Sequence, residues 1–106
     1  MYQVCLKDGL HAHYSTLREN GGHSTLATIL WDKGLYLESC SGLTDGETLV
    51  LSLALPGLGI PVLIHGQVAR IESNGDGAWI HFSHRDVDDY PRYKRYLTDA
   101  YWGSAA

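Results

Sequence analysis

Basic residues are scarce in this chain and unevenly placed. Eight Lys and Arg face twelve Asp and Glu over 106 residues, a net charge of −4. Arg85, Arg92, Lys94 and Arg95 lie beyond residue 84, so residues 1–84 hold only Lys7, Arg18, Lys33 and Arg70 against eight carboxylates. That balance excludes a polynucleotide partner, whose binding rests on neutralising a run of phosphates. Long apolar runs are missing too. None approaches the roughly 20 residues that cross a bilayer, and no membrane insertion is expected. The opening MYQVCLKDG has no basic stretch followed by an apolar one, so the cytoplasm is the expected compartment. The two cysteines, Cys5 and Cys40, fit neither a disulfide framework nor a zinc spacing. Cys5 alternates with Val4 and Leu6 in a strand-like stretch, which predicts a buried free thiol. No nucleophile elbow, phosphate loop or metalloprotease motif occurs, so neither an enzyme nor a cofactor is expected.

What is present is a set of short strands followed by one helix. Residues 2–7 suit a first strand, and residues 9–24, rich in Gly, His, Ser and Asn, are expected to be irregular. TLATILW (25–31) and GLYLE (34–38) flank a tight turn at Asp32–Lys33. In ETLVLSLALPG (47–57), Leu49, Leu51, Leu53 and Leu55 alternate with Val50, Ser52 and Ala54, the period of a half-buried strand. PVLIHGQVARIE (61–72) and GAWIHFS (77–83) form a hairpin about the turn SNGD. With Gly75 as apex, Val68 opposes Phe82, Arg70 opposes Ile80, Ile71 opposes Trp79 and Ala69 opposes His81. Val62, Ile64, Val68, Ile80 and Phe82 then face the core. Asp88, Asp89 and Pro91 suit a helix start, Tyr93, Tyr96, Leu97, Ala100 and Tyr101 keep helical spacing, and Gly103 suits its end. The expectation is one mainly-β domain over 1–106: an irregular segment near 9–24, a small antiparallel barrel over about 25–83 and a helix over about 89–102.

The run from Asp32 to Phe82 resembles the PilZ family. The residues carrying the resemblance are the glycine-led Gly34–Leu37, the turn Thr44–Asp45–Gly46, the apolar strand to Pro56, Gly66–Gln67–Val68–Ala69–Arg70, and Ile80–His81–Phe82. The resemblance implies a PilZ-type barrel with a C-terminal helix and a place in cyclic-di-GMP signalling. Two motifs bind that nucleotide in the family, an R-x-x-x-R pair upstream and a D/N-x-S-x-x-G turn. This sequence departs at both. No R-x-x-x-R occurs, and counting back from Gly34 puts Ile29 and Trp31 at the polar positions. Trp79 stands where a glycine is usual. The departures imply a degenerate member resembling the type IV pilus-assembly type, a similarity the short VCLKD at the start shares. Such a protein acts through protein partners in second-messenger or pilus and motility control.

Trp31, Ile71 and Trp79 are accordingly the candidates for a partner surface, since aromatics give contact area at low entropic cost. The alternative is a cyclic-di-GMP receptor with a non-standard site, in which Lys7, Arg18 and Lys33 take the phosphates and Trp31 stacks on a base. An unrelated barrel that binds a small molecule or metal is the third class. His11 and His13 share a strand face, but a metal site needs His23 or Asp8 to fold back as a third ligand, and no metal is expected.

Overall fold

The computed structural model describes residues 3–16, 22–40, 42–56, 59–72, 76–84 and 89–105. Six strands, β1 (Val4–Thr16), β2 (His23–Trp31), β3 (Gly34–Leu37), β4 (Thr48–Leu53), β5 (Val62–Ile71) and β6 (Ala78–His84), precede one helix, α1 (Asp89–Ala105). All neighbours are antiparallel, and the order β1-β2-β3-β6-β5-β4 closes on itself as a barrel when β4 pairs with β1. The mainly-β barrel with a terminal helix is the architecture the patterning predicts.

Period-two alternation fills the inside. Leu49, Leu51, Leu53 and Leu55 are buried, as are Val62, Ile64, Val68 and Ile80 on the hairpin that follows. Phe82 is partly buried against this core. Helix α1 closes one side with Tyr93 and Leu97, both fully buried, while Tyr96, Ala100 and Tyr101 pack at its margin.

Three expectations are corrected. Residues 9–16 are not irregular: they continue β1, with Leu10, Ala12, Tyr14 and Thr16 pointing inward and His11 and His13 outward. Residues 23–24 likewise begin β2. Gly9, at φ 72, makes the break in register between Cys5 and Leu10, a left-handed conformation that glycine adopts without steric cost. The expected irregular segment also includes residues 17–21, which lie outside the described residues. Second, Cys5 is exposed rather than buried, because Val4 and Leu10 take the inward positions and Cys5 falls on the outer face opposite Ile29. Third, α1 extends to Ala105, past Gly103. Asp88 and Gly75 lie outside the described residues.

The hairpin register also differs. Val68 pairs with Ile80 and Gly66 with Phe82, two residues from the expected alignment, so the inward set is preserved. A bulge between Val68 and Arg70 then sets Arg70 opposite Trp79 and Ile71 opposite Ala78. A bulge leaves one residue unpaired and re-aims the next side chain. Here Ala69 and Arg70 both face outward, and Ile71 turns towards the core.

Candidate interaction surface

Residues paired across an antiparallel sheet share a face. The pairs Cys5–Ile29, Ile29–Tyr36, Tyr36–Trp79 and Trp79–Arg70 therefore form one continuous row on the outside of the barrel. A second row runs Trp31–Gly34–His81–Gln67 beside it. Aromatic rings cover the middle of both. Trp79 lies 4.7 Å from Tyr36 and 5.6 Å from Trp31 between ring centroids, and His81 meets Trp31 edge-on at 6.2 Å.

Gly34 makes this packing possible. A Cβ there would strike the Ile80 carbonyl oxygen and the Trp31 ring, so the indole lies flat over the strand only because the site is glycine. Trp31 is 9% exposed as a result. The residue, a candidate for the partner surface, stands on the outer face with little of its ring open. The ring is covered by neighbouring residues, and Trp79, half-buried, presents the accessible edge.

The turn that aims Trp31 is held by the helix. The Tyr93 hydroxyl is within 2.8 Å of the Trp31 carbonyl oxygen and 3.0 Å of that of Gly34, and it donates its one proton between them. Tyr90 donates to the Asp32 carbonyl at 2.8 Å, and the Phe82 amide donates to that of Lys33 at 2.9 Å. Every carbonyl from Trp31 to Gly34 thus accepts a hydrogen bond from elsewhere in the fold. Burial drives the Tyr93 hydroxyl pKa well above the usual phenol range, the neighbouring Tyr90 adding to the effect, and the proton stays in place.

Charge around the rings is sparse and local. The Arg70 guanidinium stands 5.7 Å from the Trp79 ring centroid, within cation–π range. Glu72 accepts from Trp79 Nε1 at 2.6 Å and from Arg70 Nη2 at 3.4 Å, tying the two together. On the opposite flank burial raises the Tyr36 pKa, and Glu72, Cys40, Glu38 and Asp76 add to the rise. Between Trp31, Ala69, Arg70, Trp79 and His81 lies a shallow cleft of about 280 Å³.

Among the described residues, the candidates Trp31 and Trp79 come together on this face. Ile71 leaves the surface set, because the bulge turns it inward and puts Arg70 in its place. Lys7 and Lys33 are both exposed, in the irregular stretch of β1 and in the β2–β3 turn, with no ion pair among the described residues. Arg18 lies outside the described residues. His23 pairs with Tyr14 and stacks on its ring at 5.1 Å, on the face opposite His13, so it cannot complete a site with His11 and His13. Among the described residues no three metal-ligating side chains gather.

Sequence reasoning missed Arg70 and Tyr36 as members of this face, whereas His81 was placed on it beside Trp79. One signal was available: the unbulged register aligns Arg70 with inward-facing Ile80, where its charge would be buried without a partner.

No protein-family model matches the chain, and no curated protein matches it either. Solved structures do. The Bacillus subtilis inhibitor of motility MotI/DgrA superposes with a TM-score of 0.74 at 18% identity, covering 97% of this chain. The PilZ domain of CeSA from a cellulose-synthesizing bacterium gives 0.69 at 8% identity over 100% of both chains. The PilZ domain of YcgR from Escherichia coli, solved with c-di-GMP, gives 0.73 at 9% identity over 97% of this chain and 91% of its own. The chain has the PilZ fold. It spans 51% of the length of MotI/DgrA, about half. With the PilZ fold in hand, Ile29 and Trp31 are adjacent outward positions on β2 leading into Gly34, and both side chains are apolar. Among the described residues no helix is long and apolar enough to cross a membrane.

Proposed function

We propose that this PilZ-like chain is a non-catalytic adaptor, a single domain acting through protein contacts in cytoplasmic second-messenger signalling. The same reading includes control of type IV pili or motility, with cyclic-di-GMP binding lost. The observation that carries it is Trp31. At the position where the family's polar motif contacts a guanine, an indole 9% exposed lies packed by Gly34, Trp79 and His81. Ile29 offers neither acceptor nor donor and the Trp31 indole has a single N–H and no acceptor, so the carboxylate and hydroxyl contacts of the motif are missing, and leaving base-edge groups unpaired costs affinity. The phosphate-gripping arginine pair is absent from the sequence as well. A fold relative named for motility inhibition supports the pathway class.

The alternative, a receptor for the nucleotide, is favoured by a neighbour of the same fold solved with c-di-GMP. One titration separates the two. Isothermal calorimetry with cyclic di-GMP at micromolar protein is expected to show no binding heat. A dissociation constant tighter than about 10 μM overturns the adaptor reading.

A further inference from the structure

We infer that the cleft between Arg70, Trp79, Trp31 and His81 takes a carboxylate-bearing side chain of a partner peptide, flanked by apolar residues. The inference rests on the adaptor reading and names the chemistry its surface recognises.

Size is the first argument. At about 280 Å³ the cleft falls below the roughly 300–1,000 Å³ of sites that enclose a small molecule. It has room for a side-chain anchor. Its floor is indole, which suits an aliphatic or aromatic neighbour of the anchoring residue.

Charge is the second. Arg70 reaches this face only through the bulge at Ala69, and its side chain is 67% exposed. A guanidinium has five N–H donors in a planar fork. Among the described residues Arg70 makes one hydrogen bond, to Glu72 at 3.4 Å, a contact at the long limit. Glu72 Oε1 also accepts the much shorter bond from Trp79 at 2.6 Å, so the carboxylate fixes the ring and leaves most of the fork unspent. A planar carboxylate is the natural bidentate acceptor for it. Exposed His81, across the cleft, adds a second nitrogen donor.

Selectivity is the third. Arg70 is one of four basic residues among residues 1–84, against eight acidic ones. Glu38 and Asp76 act on Tyr36 at one flank, so a carboxylate is repelled there and attracted at Arg70, and that contrast fixes register on docking.

The test uses the full chain and two probes, acetyl-Leu-Glu-Phe-amide and its Glu→Gln counterpart, titrated while NMR follows the indole N–H signals of Trp31 and Trp79. Trp102, 66% exposed on α1, is the internal reference. The acidic probe is expected to move the Trp79 signal with an affinity near about 1 mM or tighter. The Gln probe should bind about tenfold more weakly, the scale of one charge-assisted bond. Arg70→Gln should bring the acidic probe down to the Gln level, with the amide spectrum elsewhere unchanged, whereas Arg95→Gln on the helix should have no effect. Equal shifts from the two probes, movement of Trp102 alone, or full binding by the Arg70→Gln variant would overturn the inference. A separate titration with cyclic di-GMP distinguishes the two failures. Nucleotide-induced shifts at micromolar concentration sink the adaptor reading, whatever the peptides do.

Discussion

The hydroxyl of Tyr93, on the C-terminal helix, is 2.8 Å from the carbonyl oxygen of Trp31, at the end of β2. Sixty-two positions apart in sequence, the two are joined at a fully buried side chain. The helix is therefore part of what orients the aromatic face. Its docking and the aim of the Trp31 ring are expected to change together.

Tyr93→Phe removes the donor and leaves the carbonyls of Trp31 and Gly34 without their hydroxyl partner. A lost buried partner of this kind costs about 1–3 kcal/mol. Urea unfolding should show a lower midpoint with an unchanged slope, together with a shifted Trp fluorescence maximum in the folded state. An unchanged midpoint would mean that water replaces the hydroxyl at no cost.

The two tryptophans on the face are expected to behave differently. Trp31→Ala deletes a side chain 9% exposed and should cost about 3–5 kcal/mol, lowering the melting temperature by more than about 10 °C. Trp79→Ala, at a half-buried position, should cost less than half of that. Thermal unfolding of both variants by circular dichroism checks the order. It also fixes Trp79 and Arg70, rather than Trp31, as the positions at which to test recognition without unfolding the barrel.

The cysteines should differ in reactivity. Burial pushes the Cys40 thiol up to about 11, partly offset by a hydrogen bond with Tyr14, whereas Cys5 is exposed. Alkylation at pH 8 followed by mass spectrometry is expected to modify Cys5 first and Cys40 only slowly.

The same shift sets a direction for alkaline stability. The folded state holds its Cys40 proton above the ordinary thiol pKa of 9.0, so above that pH the unfolded chain binds fewer protons. Stability then falls as pH rises, from about 9 through about 11 for Cys40 and beyond 10.0 for Tyr93. Below pH 9 these groups add no slope. Unfolding midpoints measured from pH 7 to 11 should be level and then decline, and a rise above pH 9 would contradict the assignment.

Much of the barrel was legible because alternation carries it. Leu49 to Leu55 and the inward residues of the hairpin fall where a period of two puts them, and a two-residue slip cannot change a face. Residues 10–16 carried the same signal in weaker form. Leu10, Ala12, Tyr14 and Thr16 alternate with His11, His13 and Ser15, but an alanine and a threonine on the inner face and a glycine at the start make the segment resemble a loop. The bulge at Ala69 left a single trace, the charge of Arg70 aligned with inward-facing Ile80, and passing over it misplaced both Arg70 and Ile71. Trp31, a candidate for the partner surface, stands on the outer face and is nearly covered there. Strand periodicity tells which way a side chain points, and says nothing of what lies across it.

Closure of β4 onto β1 pairs Ala12–Thr16 with Leu49–Leu53, so along that stretch the sheet has no free edge. There a partner cannot join by adding a strand, the route in which main-chain hydrogen bonds supply affinity almost regardless of sequence. Recognition has to be negotiated by side chains such as Trp79 and Arg70. Partner choice on this scaffold can therefore be rewritten by point substitutions that leave the backbone untouched.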